Sequence, residues 1–484
     1  RLVTAPPSSI GKFGGDTDNW IWPRHTGDFS MFRVYASKDN RPAAYSPQNV
    51  PYRPKKHFSI STKGVKEGDF TMIYGFPGNT QEYILSDAVA YIAERSDPAK
   101  IAVRTGRLDI ITKAQESDPA LRIHYAAKHA SIANAWKKWQ GEALGIDRRG
   151  TVAAKFDYET QFGLWSVGRP AYAGVVMGLR AEYDRIMDAY FAYEITRETL
   201  STLPAAYTPE ERSEECFARR KFAEQALWRH AFREYGRCPK VYRTPSYAEG
   251  MARYKSPEAY ADALFEAVWE GSDSVAMQPA VRLREETKRM LDHISWMLGT
   301  KSLRNLNSKI LNELYTTYIK GLREWDRERA FYPDANLTLR VAYGSVAGYE
   351  YADGEYHKPQ TTLDGIIAKD NPEIYDYDIP QSLRDLYASK NYGRWGTVID
   401  GRRTVPVCFL ATNHTTGGNS GSPVLNAGGE LIGINFDRTW RSTMSDIAFD
   451  PAICRNIAVD IRYVLFVVDR VGGAGYLLKE MTLK

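Results

Sequence analysis

A helical block of roughly 250 residues, from about 82 to 330, interrupts a chain that otherwise reads as strands. Ahead of it, Asp28-Phe29-Ser30-Met31-Phe32-Arg33-Val34-Tyr35 carries β-formers in rough alternation. His57-Phe58-Ser59-Ile60-Ser61 and Phe70-Thr71-Met72-Ile73-Tyr74 follow, the second stopped by Gly75-Phe76-Pro77-Gly78. From about 335 the strands return, as Leu337–Tyr343, Val405–Leu410, Val424-Leu425 and Leu431–Phe436. The last two flank Asn426-Ala427-Gly428-Gly429, a hairpin signal, and the stretch from Asp460 closes the chain as strand or helix. The economical fold is α+β: a β domain built from residues 1–81 and 335–484, with an all-α domain, 82–334, inserted in it. A chain of 484 residues is too long for one compact core, which agrees with two or three domains.

Inside the block, Thr208-Pro209-Glu210-Glu211 supplies a cap residue, a proline at the first helical position and a glutamate at the third. This predicts a helix running to about Arg233 and stopping near Gly236. Stretches at about 277–298 and 303–325 space Leu, Ile, Met and Trp three and four residues apart and read as long amphipathic helices packed on each other.

Bulk composition excludes several classes of function. The net charge of +5, from 64 basic and 59 acidic residues, is too small an excess to argue for nucleic acid. No apolar run reaches the length of a membrane-spanning helix, so membrane insertion is not expected. HExxH, P-loop and strand-following dinucleotide glycine motifs are missing, so no metal and no cofactor is implied. None of the four cysteines forms a CxxC pair; Cys216 and Cys238 share one helical region and read equally as a disulfide or as free buried thiols. The chain opens on Arg1 with no signal-peptide pattern, and its first twenty residues read like the middle of a protein, so polypeptide upstream is expected.

The chemistry concentrates in Thr416-Gly417-Gly418-Asn419-Ser420-Gly421-Ser422-Pro423-Val424. Glycines around one serine let the backbone turn tightly and aim amide N–H groups at an oxyanion. Ser420 is the candidate nucleophile, with the N–H groups of Gly418 and Ser420 as the oxyanion hole; the competing reading is a Gly/Ser hairpin turn. A serine nucleophile needs a base and a carboxylate to orient it. Asp28, after a glycine and before an apolar run, is placed as a semi-buried orienting acid. The base is harder to find. His25 is too close to Asp28 along the chain to bridge it to Ser420. His414, six residues before the serine, suits a pocket wall. The catalytic histidine is therefore expected upstream of Arg1.

Gly14-Gly15-Asp16-Thr17-Asp18-Asn19-Trp20-Ile21-Trp22-Pro23-Arg24-His25-Thr26-Gly27-Asp28-Phe29-Ser30, together with Asn134 in Asn-x-Trp-Lys, Gly418–Val424 and Gly433–Arg438, resembles the bacterial dipeptidyl peptidase 7 and dipeptidyl peptidase 11 family of serine exopeptidases. The resemblance runs from the first residues to the last. It implies a chymotrypsin-like double β-barrel with an inserted helical domain that closes the cleft, Ser420 as nucleophile, Asp28 as triad acid and a triad histidine from an N-terminal barrel segment. It also implies a free α-ammonium held by Asn19, Trp20, Asn134 and Asp437, with Asp437 as the charge. Arg438 stands where apolar-specific relatives carry glycine and acid-specific ones arginine. A guanidinium there can hold a carboxylate with two parallel hydrogen bonds, which predicts Asp or Glu as the second residue, with His414 as an added donor. The expected partners are peptides with a free N-terminus and a second copy of the chain, in the periplasm or at the surface of a Gram-negative bacterium. Two alternatives stay open: a Glu-selective endopeptidase, and a non-catalytic peptide-binding fragment.

Overall fold

The computed structural model describes residues 1–271, 274–299 and 308–484. Two compact units divide the chain: Arg1–Glu82 with Asp334–Lys484, and Tyr83–Pro333.

The first unit is built on a seven-stranded antiparallel sheet. Its strands are β1 (Phe70–Gly75), β2 (Arg340–Ser345), β3 (Gln360–Thr362), β4 (Pro406–Ala411), β5 (Ser422–Leu425), β6 (Leu431–Arg438) and β7 (Asn456–Asp460). They lie in the order β2-β1-β5-β6-β7-β4-β3. Every residue of β4 and of β7 is buried, so these strands read as near-continuous apolar runs. β1 alternates between exposed and buried, the pattern of a strand with one face toward solvent. Ile73, Val346, Phe409, Val424, Ile432 and Ala458 form the core on this sheet. Gly433 is required beneath it, because a Cβ there would meet the Phe409 ring and the Val459 carbonyl oxygen, both at 2.7 Å.

The feature of this sheet that bears most on function is a bulge. On β6, Asn435 pairs with Ala458 but Asp437 pairs with Ile457, so Phe436 is the extra residue. A bulge of this kind re-aims the side chains that follow it, here Asp437 and Arg438 at the strand end.

Phe70–Tyr74 forms as expected within β1, but the strands before it are shorter than expected. Of the Asp28–Tyr35 run, only Met31–Phe32 and Tyr35–Ala36 pair, in two-stranded ribbons with Leu2–Thr4 and Val50–Pro51. The His57–Ser61 run makes isolated bridges, from Ile60 to Leu431 and to Leu483, but no strand. Phe32 and Val34 are exposed, so burial does not reinforce their β propensity. The stretch after Asp460 is a helix, Ile461–Phe466, whose first turn is capped by the Asp460 carboxylate.

The second unit is helical: α1 (Asp97–Ser117), α2 (Pro119–Arg148), α3 (Thr151–Ser166), α4 (Val175–Glu198), α5 (Lys221–Tyr235), α6 (Pro257–Glu270), α7 (Ser274–Met297) and α8 (Lys309–Trp325) are its main elements. The Thr208 capping box forms as expected, with the Glu211 amide donating to Thr208 Oγ1 at 3.2 Å and the Thr208 amide to Glu211 Oε2 at 2.7 Å. The helix it starts ends at Ser213 rather than running to Arg233. The chain turns there so that Phe217 can stack on Trp269, ring centres 4.2 Å apart, before α5 begins. Residues 303–307 of the expected last helix lie outside the described residues, and α8 covers the rest. Cys216 and Cys238 are free, buried thiols.

Phe409→Ala should cost about 3–5 kcal/mol, because the fully buried ring leaves a cavity in a sheet held from both sides. Exposed Tyr343→Ala on β2 should stay within about 0.5 kcal/mol. Urea denaturation of the two variants checks the contrast.

Candidate active site

The serine turn is held from within and from behind. Asn419 N–H donates to Thr416 O (3.1 Å), Ser422 N–H to Asn419 O (3.0 Å) and Gly421 N–H to Asn435 O on β6 (2.8 Å). The Asn419 side chain accepts from Thr416 N–H at 3.1 Å. Among the described residues, these bonds leave the N–H groups of Gly418 and Ser420 out of the turn's own network. Gly418 has φ 105°, and a Cβ on it would lie 2.4 Å from the Phe76 carbonyl oxygen, so only glycine fits. Ser420 is exposed, and its hydroxyl donates to the carbonyl of Phe436, the bulged residue, at 3.2 Å.

The segment carrying the candidate triad acid is anchored by glycines and ion pairs. Gly14 and Gly15 take left-handed conformations, and Cβ atoms on them would strike the Asp18 and Asp376 carboxylates. Asp18 is buried and accepts from Lys369 Nζ (2.8 Å) and Tyr377 Oη (2.9 Å). Trp20, itself at φ 67°, donates its N–H to Asp437 Oδ2 (3.3 Å) and accepts at its carbonyl from Trp440 N–H (2.5 Å). Asn19 is half-buried beside it.

Arg24 ties this segment to the bulged strand. It is buried and donates through Nη1 to Asp437 Oδ2 at 2.7 Å and to Asp18 O at 3.0 Å. Its guanidinium lies 5.2 Å from the centre of the Phe436 ring. Asp437 Oδ1 accepts from Arg438 N–H at 2.8 Å, so the carboxylate expected to hold an amine is already balanced by an arginine and two amides. Sequence reasoning missed Arg24, although a charged residue directly after the apolar Trp20-Ile21-Trp22-Pro23 was the available signal.

Asp28 is exposed rather than semi-buried, because the run that follows it does not become a long strand. Its carboxyl is still held above the usual carboxylate range. The protein wall beside it removes water, Arg24 opposes the shift and the Asp437 charge adds to it. His25 is buried, with its pKa lowered to about 3 chiefly by burial and then by Lys369, so it is a neutral packing residue pressed on Gly365.

Arg438 is 4% exposed. Its Nη1 and Nη2 donate to the two oxygens of Asp446 at 2.6 and 2.7 Å, and Nη1 also faces Ser445 Oγ (2.9 Å) and Thr415 O (3.1 Å). The guanidinium lies 5.6 Å from the Trp20 ring centre. His414 is stacked on Phe449; its Nε2–H donates to Ser445 O at 2.9 Å and its Nδ1 lies 3.3 Å from Glu82 Oε1. Burial lowers the His414 pKa, with Ser445 O and Asp446 opposing and Arg438 adding to the shift. The structure thus brings His414 and Arg438 to one place. Sequence reasoning missed Asp446, Ser445 and Glu82, each distant along the chain from at least one partner. Asn134 is an exposed residue of α2 in the helical unit.

In that helical unit, the ligand-type atoms of His124, Glu214 and Cys216 lie together. Arg220 Nη1 sits 2.6 Å from His124 Nε2 and 3.2 Å from Glu214 Oε2, so this grouping already holds a cation.

A serine in a glycine turn, a candidate orienting carboxylate and charged groups for substrate are what a serine hydrolase acting on peptides needs. The chain belongs to the Peptidase S46 family, whose profile matches residues 1–215 and 210–483. It is 42% identical, over its whole length and 73% of the relative's, to an Asp/Glu-specific dipeptidyl-peptidase of Capnocytophaga gingivalis. It is 35% identical to a dipeptidyl-peptidase 7 of Phocaeicola vulgatus, covering 72% of that protein. Among solved structures it is similar to Porphyromonas endodontalis DPP11 in complex with the dipeptide Arg-Glu, with TM-score 0.84 and 34% identity over all of this chain and 74% of the other.

Asp28→Asn tests the carboxylate without changing its shape. A raised folded-state pKa means that the folded protein binds the proton more tightly than the unfolded chain, so the ionised form costs stability at neutral pH. The variant should lose hydrolysis by about 10³–10⁴-fold, on the scale of a misoriented triad. Its Tm at pH 7 should equal or exceed that of the parent. Thermal denaturation and kcat measured on the same sample check both.

Proposed function

We propose that this protein is a serine dipeptidyl peptidase that releases N-terminal dipeptides from peptides with Asp or Glu at the second position. The carrying observation is the bulged end of β6. Three successive residues there meet the Ser420 hydroxyl (Phe436 O), present a carboxylate (Asp437) and present a buried guanidinium (Arg438). A carboxylate that holds the substrate amine, next in the chain to the residue whose carbonyl meets the nucleophile, would limit release to a short N-terminal fragment, and resemblance to the family supports a dipeptide.

Ser420 attacks the carbonyl of the second residue, and the N–H groups of Gly418 and Ser420 stabilise the oxyanion. The chain beyond leaves as an amine, and water releases the dipeptide from the acyl-enzyme. Asp28 orients the general base. Among the histidines of the sheet unit, His25 is buried and neutral, His57 bonds Thr482, His357 bonds Glu355 and His414 bonds Ser445. That distribution supports a base supplied from outside these four. Asp437, already paired with Arg24, also accepts from the substrate ammonium, with Asn19 and Trp20 as further acceptors. Arg438 holds the acidic side chain, and His414 adds a pocket wall. Resemblance to the family supports three further readings: a double β-barrel to which the seven-stranded sheet contributes, a homodimer, and a periplasmic or surface location. Among the described residues, no helix is long and apolar enough to cross a membrane.

Arg438→Gly should reduce kcat/KM for a Glu-containing substrate on the order of a hundredfold or more and abolish the preference for acidic residues. Unchanged selectivity in that variant contradicts the assignment. N-acetylation of the substrate should remove turnover, because the ammonium is what Asp437 recognises. Cleavage of acetylated substrates at equal rate would instead identify a Glu-selective endopeptidase.

A further inference from the structure

The pocket that selects an acidic side chain already contains one. Asp446 ends the turn Trp440–Asp446, and its carboxylate takes the Nη1–Nη2 edge of Arg438 with both oxygens. It is fixed from the backbone as well, since Gln81 N–H donates to Asp446 O at 2.6 Å. The pair is enclosed, with the Arg438 and Asp446 side chains 5% and 13% exposed. Ser445 Oγ and Thr415 O bond the same guanidinium, so its position does not depend on Asp446 alone. Glu82, on the far side of His414, adds a second carboxylate to this neighbourhood.

We propose that Asp446 is a positioning residue for Arg438 that also sets how readily acidic dipeptides leave. Between turnovers it neutralises a buried guanidinium, which would otherwise be costly to bury unpaired. When a substrate presents Asp or Glu, that carboxylate and the carboxylate of Asp446 both draw on the Arg438 guanidinium. Two carboxylates then share one cation in a weakly screened site, and each weakens the hold of the other. The effect is felt most by the product. A released dipeptide ending in Glu carries its side-chain carboxylate and a new α-carboxylate, and an unopposed arginine would retain it. The resident carboxylate thus exchanges affinity for turnover. This proposal rests on the reading of Arg438 as the acid-selecting residue.

Product inhibition tests it, with Leu-Glu and Leu-Gln as probes. In Asp446→Asn, the Ki of Leu-Glu should fall about tenfold or more, while that of Leu-Gln stays within about twofold. The rise in Tm on adding Leu-Glu should be larger than in the wild type. A merely structural role would move both dipeptides alike. Should the isosteric variant not fold, Asp446→Ala prepared in formate provides the second test. Formate fills the vacated carboxylate position, and its removal should tighten Leu-Glu inhibition selectively. A Leu-Glu Ki that is unchanged or raised when the charge is removed overturns the proposal alone, provided that the wild type discriminates between the two dipeptides. Equal inhibition of the wild type by both overturns the acid-selecting reading, and this proposal with it.

Discussion

The ion pair between Arg24 and Asp437 is the interaction on which the rest of the site depends. It joins a loop near the start of the chain to the end of β6, more than four hundred residues later. Arg24 also bonds the carbonyl of Asp18, lies against Phe436 and moderates the carboxyl of Asp28. One buried guanidinium therefore bonds the Asp437 carboxylate, lies against the residue whose carbonyl meets the Ser420 hydroxyl and acts electrostatically on the candidate triad acid. Its burial also makes the pair unforgiving, because removing either partner leaves an uncompensated charge in a desolvated place.

The bulge at Phe436 gives the second constraint. In an unbroken strand, successive side chains point to opposite faces and continue the pairing of their neighbours. The extra residue resets that alternation just before Asp437 and Arg438. The two then enter separate ion pairs, Asp437 with Arg24 and Arg438 with Asp446, instead of pairing with each other. Adjacent charges of opposite sign are thereby held apart in two ion pairs, and the proposed function assigns the first to an ammonium and the second to a carboxylate.

Much of this layout was legible in the sequence, for reasons that are local. The helical block, the hairpin around Asn426–Gly429 and the capping box at Thr208 each rest on short-range periodicity or on a bond between near neighbours. The glycine pattern of the serine turn was legible for the same reason, since Gly418 needs a conformation and a closeness that only glycine allows. What was not legible depends on how the chain packs rather than on short-range periodicity. Nothing local distinguishes Asp446 as the partner of Arg438, or predicts that the helix begun at Pro209 breaks so that Phe217 can reach Trp269. The alternation after Asp28 suggested a strand and a semi-buried carboxylate; without a partner strand along its length, that run stays short and Asp28 stays exposed.

In the proposed function, a buried guanidinium chooses the second residue of the substrate by charge. Glutamate and glutamine differ there in charge but hardly in shape. The most direct measurement is the ratio of kcat/KM for two substrates that are identical except for Glu or Gln at the second position, with a free N-terminus in both. Glu should be preferred on the order of a hundredfold or more. Equal rates for the two would contradict it.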